Sequence, residues 1–252
     1  MTDTLPTATA GVHYDQDGGV ATVTLDRESA LNAFDAAQYD ATHAALGRAA
    51  DTESVRCVLI AARGRAFSAG SDLQDESPDP DAYERFISRL EGFPKPVVAA
   101  VNGLAVGIGA TLLGHCDVVI ASTEARFKLP FAAIGLVPEA GSTVTLPAAM
   151  GPQAAAHALF TGGWVGAADA ERAGLVWRVV EPDALAGAAA ELCAQIAAQP
   201  VESLTATKEL LLAARLPAAR AAREREEAEF TRMLAGEAHR RALEQFRAGA
   251  RG

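Results

Sequence analysis

The chain has 252 residues, half of them hydrophobic, and a formal charge of −10 at pH 7. That length allows one large domain or two small ones with a substantial core, and the acidic balance argues against nucleic acid and anionic membrane surfaces as main partners. Cys57, Cys116 and Cys193 lie far apart in apolar settings, which points to reduced core thiols and away from a disulfide framework or a metal site.

The first ten residues are small and polar, unlike a signal peptide, and no apolar run reaches the ~18 residues that a membrane span needs. The chain therefore reads as a soluble cytoplasmic protein, with residues 1–11 a flexible N-terminus. Val12 to Asp15 and Val20 to Leu25 form an expected hairpin about Asp17-Gly18-Gly19. Asp35 with Gln38 resembles a capping box that opens a helix to about Ala50. Cys57 to Ala61 is an expected buried strand. The small-residue loop ARGRAFSAGSDL follows and enters a helix near Asp72. Residues 74–80, QDESPDP, are acidic and proline-containing, as a mobile segment would be, and a helix is expected over Ala82 to Gly92.

Lys95 to Ser122, KPVVAAVNGLAVGIGATLLGHCDVVIAS, reads as strand, turn, helix, strand. Val97 to Val101 is apolar and β-branched, Asn102-Gly103 punctuates it, and Gly107-Ile108-Gly109 opens an apolar helix to about His115. Val118 to Ile120 is the next strand, and Ala125 to Lys128 a shorter one. Pro130 to Gly141 is a loop. Helices are expected over Ser142 to Met150, Gln153 to Phe160 and Ala167 to Ala173, then a last strand over Val176 to Val180. From Pro182 the pattern is helical in four pieces, near 182–198, 201–215, 217–234 and 236–249. Residues 12–181 thus alternate β and α, with helices long enough for parallel crossovers. Residues 182–252 form a C-terminal helical region with thin apolar faces, suited to packing on the first region or on a second subunit.

The two glycine loops, AFSAGSDL and GLAVGIGA, each leave a strand and can offer a backbone N–H, at Ser71 and at Ile108. Two such donors aimed at one point make an oxyanion hole. Two ordinary βα turns, with Asp72 as a helix cap, would give the same pattern. A dinucleotide site fails because Leu112 holds the third glycine position, and no G-x-S-x-G elbow surrounds Ser71. His13, His43, His115, His157 and His239 are scattered, and the adjacent His115-Cys116-Asp117 cannot converge on one metal. Glu139 stands in LVPEAGS near Leu136, Val137 and Phe131. Desolvated there, its pKa would rise toward that of a general base. A solvated turn glutamate, or a cap for the helix at Ser142, fits as well.

RGRAFSAGSDL, the Lys95–Ser122 stretch, AAIGLVPEAGSTVTLP and AERAGLVWRVVEP together resemble the crotonase (enoyl-CoA hydratase/isomerase) superfamily over about residues 12–250. The resemblance implies an α/β spiral of ββα units with a C-terminal helical region that packs and trimerises, as a homotrimer or dimer of trimers. It implies an acyl-CoA thioester substrate, no cofactor beyond the CoA of that substrate, and no metal. The N–H groups of Ser71 and Ile108 would form the oxyanion hole. The loop Ser68, Ala69, Gly70, Ser71, Asp72, Leu73, with Ile108 and Phe131, would bind substrate.

Hydratases of the superfamily carry two glutamates that handle water. Thr111 and Phe131 stand at those positions here, and neither can be a general base. Ile108 also breaks the usual glycine triplet, without removing the backbone donor. The pattern is similar to the Δ3,Δ2-enoyl-CoA isomerase branch, in which a single glutamate, here Glu139, moves the proton. Dehalogenases of the superfamily need a histidine after the first oxyanion loop, and residues 73–96 contain none. A hydratase using Glu139 alone and a non-catalytic acyl-CoA-binding homologue are the alternatives. An RNA-binding homologue is opposed by the acidic charge.

Overall fold

The computed structural model describes residues 10–75 and 79–249. Most of the expected flexible N-terminus, and the centre of the expected mobile segment, lie outside those residues. β1 (Val12–Asp17) and β2 (Val20–Leu25) pair antiparallel. Gly18 and Gly19 turn between them with φ of 54° and 85°, the two positive values that a tight I′-type hairpin turn requires. α1 (Ala36–Asp51) is capped by the Asp35 carboxylate on the Gln38 N–H. The Gln38 side chain leaves the box and reaches the Gly11 carbonyl instead.

A repeated unit then builds the molecule. β3 (Cys57–Ala62) and β4 (Ala66–Ser68) precede α2 (Pro80–Glu91). β5 (Val97–Val101) and β6 (Leu104–Val106) precede α3 (Ile108–Thr111). β7 (Val118–Ser122) and β8 (Arg126–Lys128) precede α4 (Ser142–Met150). The first strand of each pair joins one sheet and the second joins another. α5 (Pro152–Thr161), β9 (Trp164–Gly166), α6 (Ala167–Ala173) and β10 (Arg178–Val180) follow. The tail is α7 (Leu185–Ala197), α8 (Val201–Leu234) and α9 (Glu237–Gly249).

The larger sheet runs β1-β2-β3-β5-β7-β10, parallel beyond the first hairpin, and the smaller runs β4-β6-β8-β9. β3, β5 and β7 are buried on both faces, which is why they read as unbroken apolar runs. Val58, Ile60, Val97, Ala99 and Val119 face the main core, and Cys57, Leu59, Val98, Ala100 and Ile120 face Leu185, Ala189 and Cys193 of α7. This is the α/β spiral of ββα units with a C-terminal helical region that the resemblance implied. All three cysteines are buried free thiols. Among the described residues no helix is long and apolar enough to cross a membrane.

Several boundaries differ from the sequence reading. β4, β6 and β9 are three residues each, too short for a period to show. No helix begins at Asp72: α2 starts at Pro80, capped by Asp79. The helix expected from Gly107 to His115 is one α-helical turn followed by a 3-10 turn, Leu112–His115. The last strand is shorter than expected and begins at Arg178. The two helices expected over 201–215 and 217–234 are one, running through Pro217. Proline forfeits one bond, to the carbonyl of Ala213, but α8 is held on both sides of it. Before it, Lys208 and Arg215 bond the Asp117 carboxylate, and after it Arg220 and Arg223 bond Glu91.

Candidate active site

β4 and β6 are parallel neighbours, with Ala66 opposite Leu104 and Ser68 opposite Ala105. The two glycine loops therefore leave the same end of the smaller sheet, side by side. A methyl group on Gly70, at φ +100°, would lie 3.0 Å from the Val106 carbonyl oxygen, and one on Gly107 would lie 3.8 Å from Gly70 Cα. At Gly109 it would lie 2.6 Å from the Ser68 carbonyl oxygen, so only glycine lets α3 start this close to β4.

Phe34 hydrogen-bonds on both flanks of Ser71: its N–H donates to the Gly70 carbonyl (2.7 Å) and its carbonyl accepts from Asp72 N–H (2.8 Å). In a parallel bridge of this kind the middle residue's own N–H turns the other way. Ser71 N–H thus points away from Phe34. Ile108 is the first residue of α3, and a first helical N–H has no partner within its helix. Because α3 is so short, these donors act as individual N–H groups and carry little macrodipole.

The other expected substrate-loop residues have local partners. Ser68 is fully buried, and its hydroxyl accepts the Gly70 N–H (3.2 Å). Ala69 N–H donates to the Leu31 carbonyl (3.0 Å). Asp72 accepts from Arg27 Nη1 (2.7 Å) and from Gln74 N–H (2.9 Å). Although burial pushes its carboxyl up, those partners hold it below the usual value. Leu73 is 63 % exposed, whereas Phe131 is buried in the main core. His115, Cys116 and Asp117 diverge: His115 Nε2 donates to the Ala140 carbonyl, Cys116 Sγ donates to the Leu112 carbonyl, and Asp117 accepts from Val97 N–H. A cavity of about 490 Å³ lined by Leu113, Val144, Thr145, Trp177 and Arg215 lies elsewhere, and none of Ser71, Ile108 and Glu139 lines it.

Glu139 precedes a strained turn. Ala140 and Gly141 both take left-handed φ, 62° and 67°, and a residue with a Cβ costs ~1–2 kcal/mol there. The His115 bond to the Ala140 carbonyl (2.7 Å) helps to hold it. Burial pushes the His115 imidazole down to about 4, so it is a neutral donor. Thr111, at the end of α3, donates its hydroxyl hydrogen bond to Glu139 Oε1 (2.7 Å). The carboxylate is thus tied to the same short helix that Ile108 opens. Tyr39 links the other loop: its hydroxyl lies 2.9 Å from Ser71 Oγ, and its ring stacks on Phe34 and meets Tyr83 edge-on. Burial, and next the Glu139 charge, raise the Tyr39 phenol.

Burial first pushes the Glu139 carboxyl up to about 7, and the negative charge of Glu226 adds to this. The Tyr83 and Thr111 hydroxyls pull it part of the way back. The Tyr83 hydroxyl is buried beside it without a hydrogen bond of good geometry. Glu139 keeps some exposed surface, as an acid that touches a ligand must. A group of this kind is protonated below about pH 7 and becomes a base above it. If it is the base, log kcat/KM should rise with unit slope up to pH ~7 and level off above. A profile flat from pH 5 to 8 would exclude it.

Four of these groups are not legible as site residues in the sequence. Thr111 was noticed only as an absent glutamate, and Tyr39 and Tyr83 carry no motif. Glu226 is one carboxylate among many in REREEAEF.

A family model described as enoyl-CoA hydratase/isomerase matches residues 15–248. The chain is 36 % identical over 205 residues to 1,2-epoxyphenylacetyl-CoA isomerase of Escherichia coli K12, covering 77 % of this chain and 78 % of that protein. It is 33 % identical to 2,3-dehydroadipyl-CoA hydratase of the same organism, over 90 % and 91 % of the two chains. The crystal structure of an enoyl-CoA hydratase/isomerase from Pseudoalteromonas atlantica T6c superposes with a TM-score of 0.91 at 34 % identity, covering 95 % of this chain and 97 % of the other. Sequence and fold agree along nearly the whole length, and the chain belongs to the enoyl-CoA hydratase/isomerase, or crotonase, family.

Proposed function

We propose that the protein is a Δ3,Δ2-enoyl-CoA isomerase, and that Glu139 is its single proton carrier. The observation that supports this most is one carboxylate with a pKa near 7, tied by Thr111 to the helix that Ile108 opens. The thioester carbonyl oxygen of a 3-enoyl-CoA accepts from the N–H groups of Ser71 and Ile108. Ionised Glu139 takes a proton from C2, and the C2–H electron pair becomes a dienolate with its charge on the carbonyl oxygen. The two donors stabilise that charge, each by roughly 3 kcal/mol. Protonated Glu139 then delivers the proton to C4 as a C2=C3 bond forms and the carbonyl is restored. No water enters and nothing is oxidised, so the only coenzyme this chemistry needs is the CoA of the substrate.

The loop Ser68–Leu73 flanks the CoA end, and buried Phe131 contributes to keeping water out. A cytoplasmic homotrimer or dimer of trimers is part of the same proposal. A second reading, hydration of a 2-enoyl-CoA by Glu139 alone, draws on the likeness to a hydratase. The purified protein should isomerise a 3-enoyl-CoA and leave crotonyl-CoA largely unhydrated. Fast hydration of crotonyl-CoA with no isomerisation would favour the second reading, and binding of both without turnover would favour a pure acyl-CoA binder.

A further inference from the structure

Three residues spaced by three lie along α8: Arg220, Arg223 and Glu226. Both arginines reach α2, the helix of Tyr83. Arg220 and Arg223 bond Glu91 Oε1 (3.0 and 3.1 Å), and Arg223 Nη1 also bonds Glu84 Oε1 (2.5 Å). Glu226 reaches the other side of the site. It is 5 % exposed, and its carboxylate accepts from Gly141 N–H (2.7 Å), Thr143 N–H (2.8 Å) and Thr143 Oγ1 (2.5 Å). Gly141 is the second residue of the left-handed pair Ala140–Gly141, and Thr143 lies in the first turn of α4 directly after it. A backbone that prefers another conformation at Ala140 is held by this carboxylate on one flank and by His115 on the other.

We propose that Glu226 is a positioning residue of the active site, holding the Ala140–Gly141 turn from α8 so that the Glu139 carboxylate keeps its place beside Thr111. The inference rests on the reading of Glu139 as the base. It makes α8 a structural part of the site and not only a packing element. The titratable and charged groups around Glu139 are Tyr39 from α1, Tyr83 from α2, His115 through the Ala140 carbonyl, and Arg223 and Glu226 from α8. Among them Glu226 is the one that both bonds the turn and adds a like charge.

The experiment compares Glu226→Gln, Thr143→Val and Glu227→Gln with the parent. It reads kcat and KM for a 3-enoyl-CoA, butyryl-CoA binding, thermal unfolding, and the Glu139 titration from the infrared carboxyl band against Glu139→Gln. Glu226→Gln should lower kcat about 10- to 100-fold, as a displaced catalytic group does, with KM within about twofold. It should also move the Glu139 midpoint below its value near 7. Thr143→Val, which keeps the charge, should lower kcat about 3- to 10-fold with the midpoint in place. Glu227→Gln, on the exposed face, should change neither.

A folded Glu226→Gln protein with parental kcat and midpoint would overturn the proposal. If that variant does not fold, Thr143→Val decides, and undiminished kcat there is the overturning result. The infrared midpoint is read without turnover. If Glu139→Gln keeps full isomerase activity, the reading of Glu139 fails while the midpoint comparison still tests the turn.

Discussion

Glutamine in place of Glu139 is expected to slow the C2-to-C4 proton transfer by about 10²–10⁴-fold, with acyl-CoA binding nearly intact. The amide is the same size and can keep the Thr111 contact, but it cannot take a proton at working pH. The same variant should be more stable than its parent at alkaline pH. Burial raises the folded-state pKa from the ordinary 4.5 to about 7, so the folded protein binds the proton more tightly than the unfolded chain does. The parent is therefore at full stability below the ordinary value and loses stability as pH rises toward 7. Glutamine never ionises and avoids that loss, by about 1–3 kcal/mol at pH 8 and less at pH 5. Urea unfolding of both proteins at the two pH values measures the gap. Equal stability at pH 8, or full activity of the variant, contradicts the role given to Glu139.

Gly109→Ala should damage the other half of the site. The added methyl would stand 2.6 Å from the Ser68 carbonyl oxygen and 2.8 Å from Ser68 Cβ, and neither is the far end of a flexible chain. α3 or β4 must shift, so the Ile108 N–H moves relative to Ser71. The loss of one well-placed donor lowers kcat about 10²- to 10³-fold, and overpacking destabilises the fold by ~1–3 kcal/mol. Kinetics on the folded fraction, with the Glu139 infrared titration as a control, separate the two effects. Near-parental kcat would mean that the gap between the loops is not part of the reaction. Gly70→Ala combines a tight contact with φ +100° and should show a similar direction.

How much of this was legible in the chain depended on how local each feature is. The hairpin at Gly18-Gly19, the Asp35 cap, β3, β5 and β7, and the start of α4 are written in runs of a few residues, and the structure has them where the residue patterns placed them. The three-residue strands β4, β6 and β9 were not legible, because pairing with a neighbour makes them strands, and no period shows over three residues. α8 was read as two helices because Pro217 disfavours a helix locally. Ion pairs to Asp117 and Glu91 on either side outweigh that preference.

The sequence by itself determined the alternation of strands and helices, the two glycine loops, the family resemblance, and Glu139 as the carboxylate to watch. Each of these is carried by residue type and order along a short stretch. Only the tertiary structure decided what surrounds that carboxylate. Thr111 lies 28 residues before it, Tyr39 100 residues before it, and Glu226 87 residues after it, 85 residues from the Gly141 N–H that its carboxylate accepts. Desolvation and nearby charge act through space over a few ångströms, so a pKa near 7 is a property of that gathering and of no segment within it.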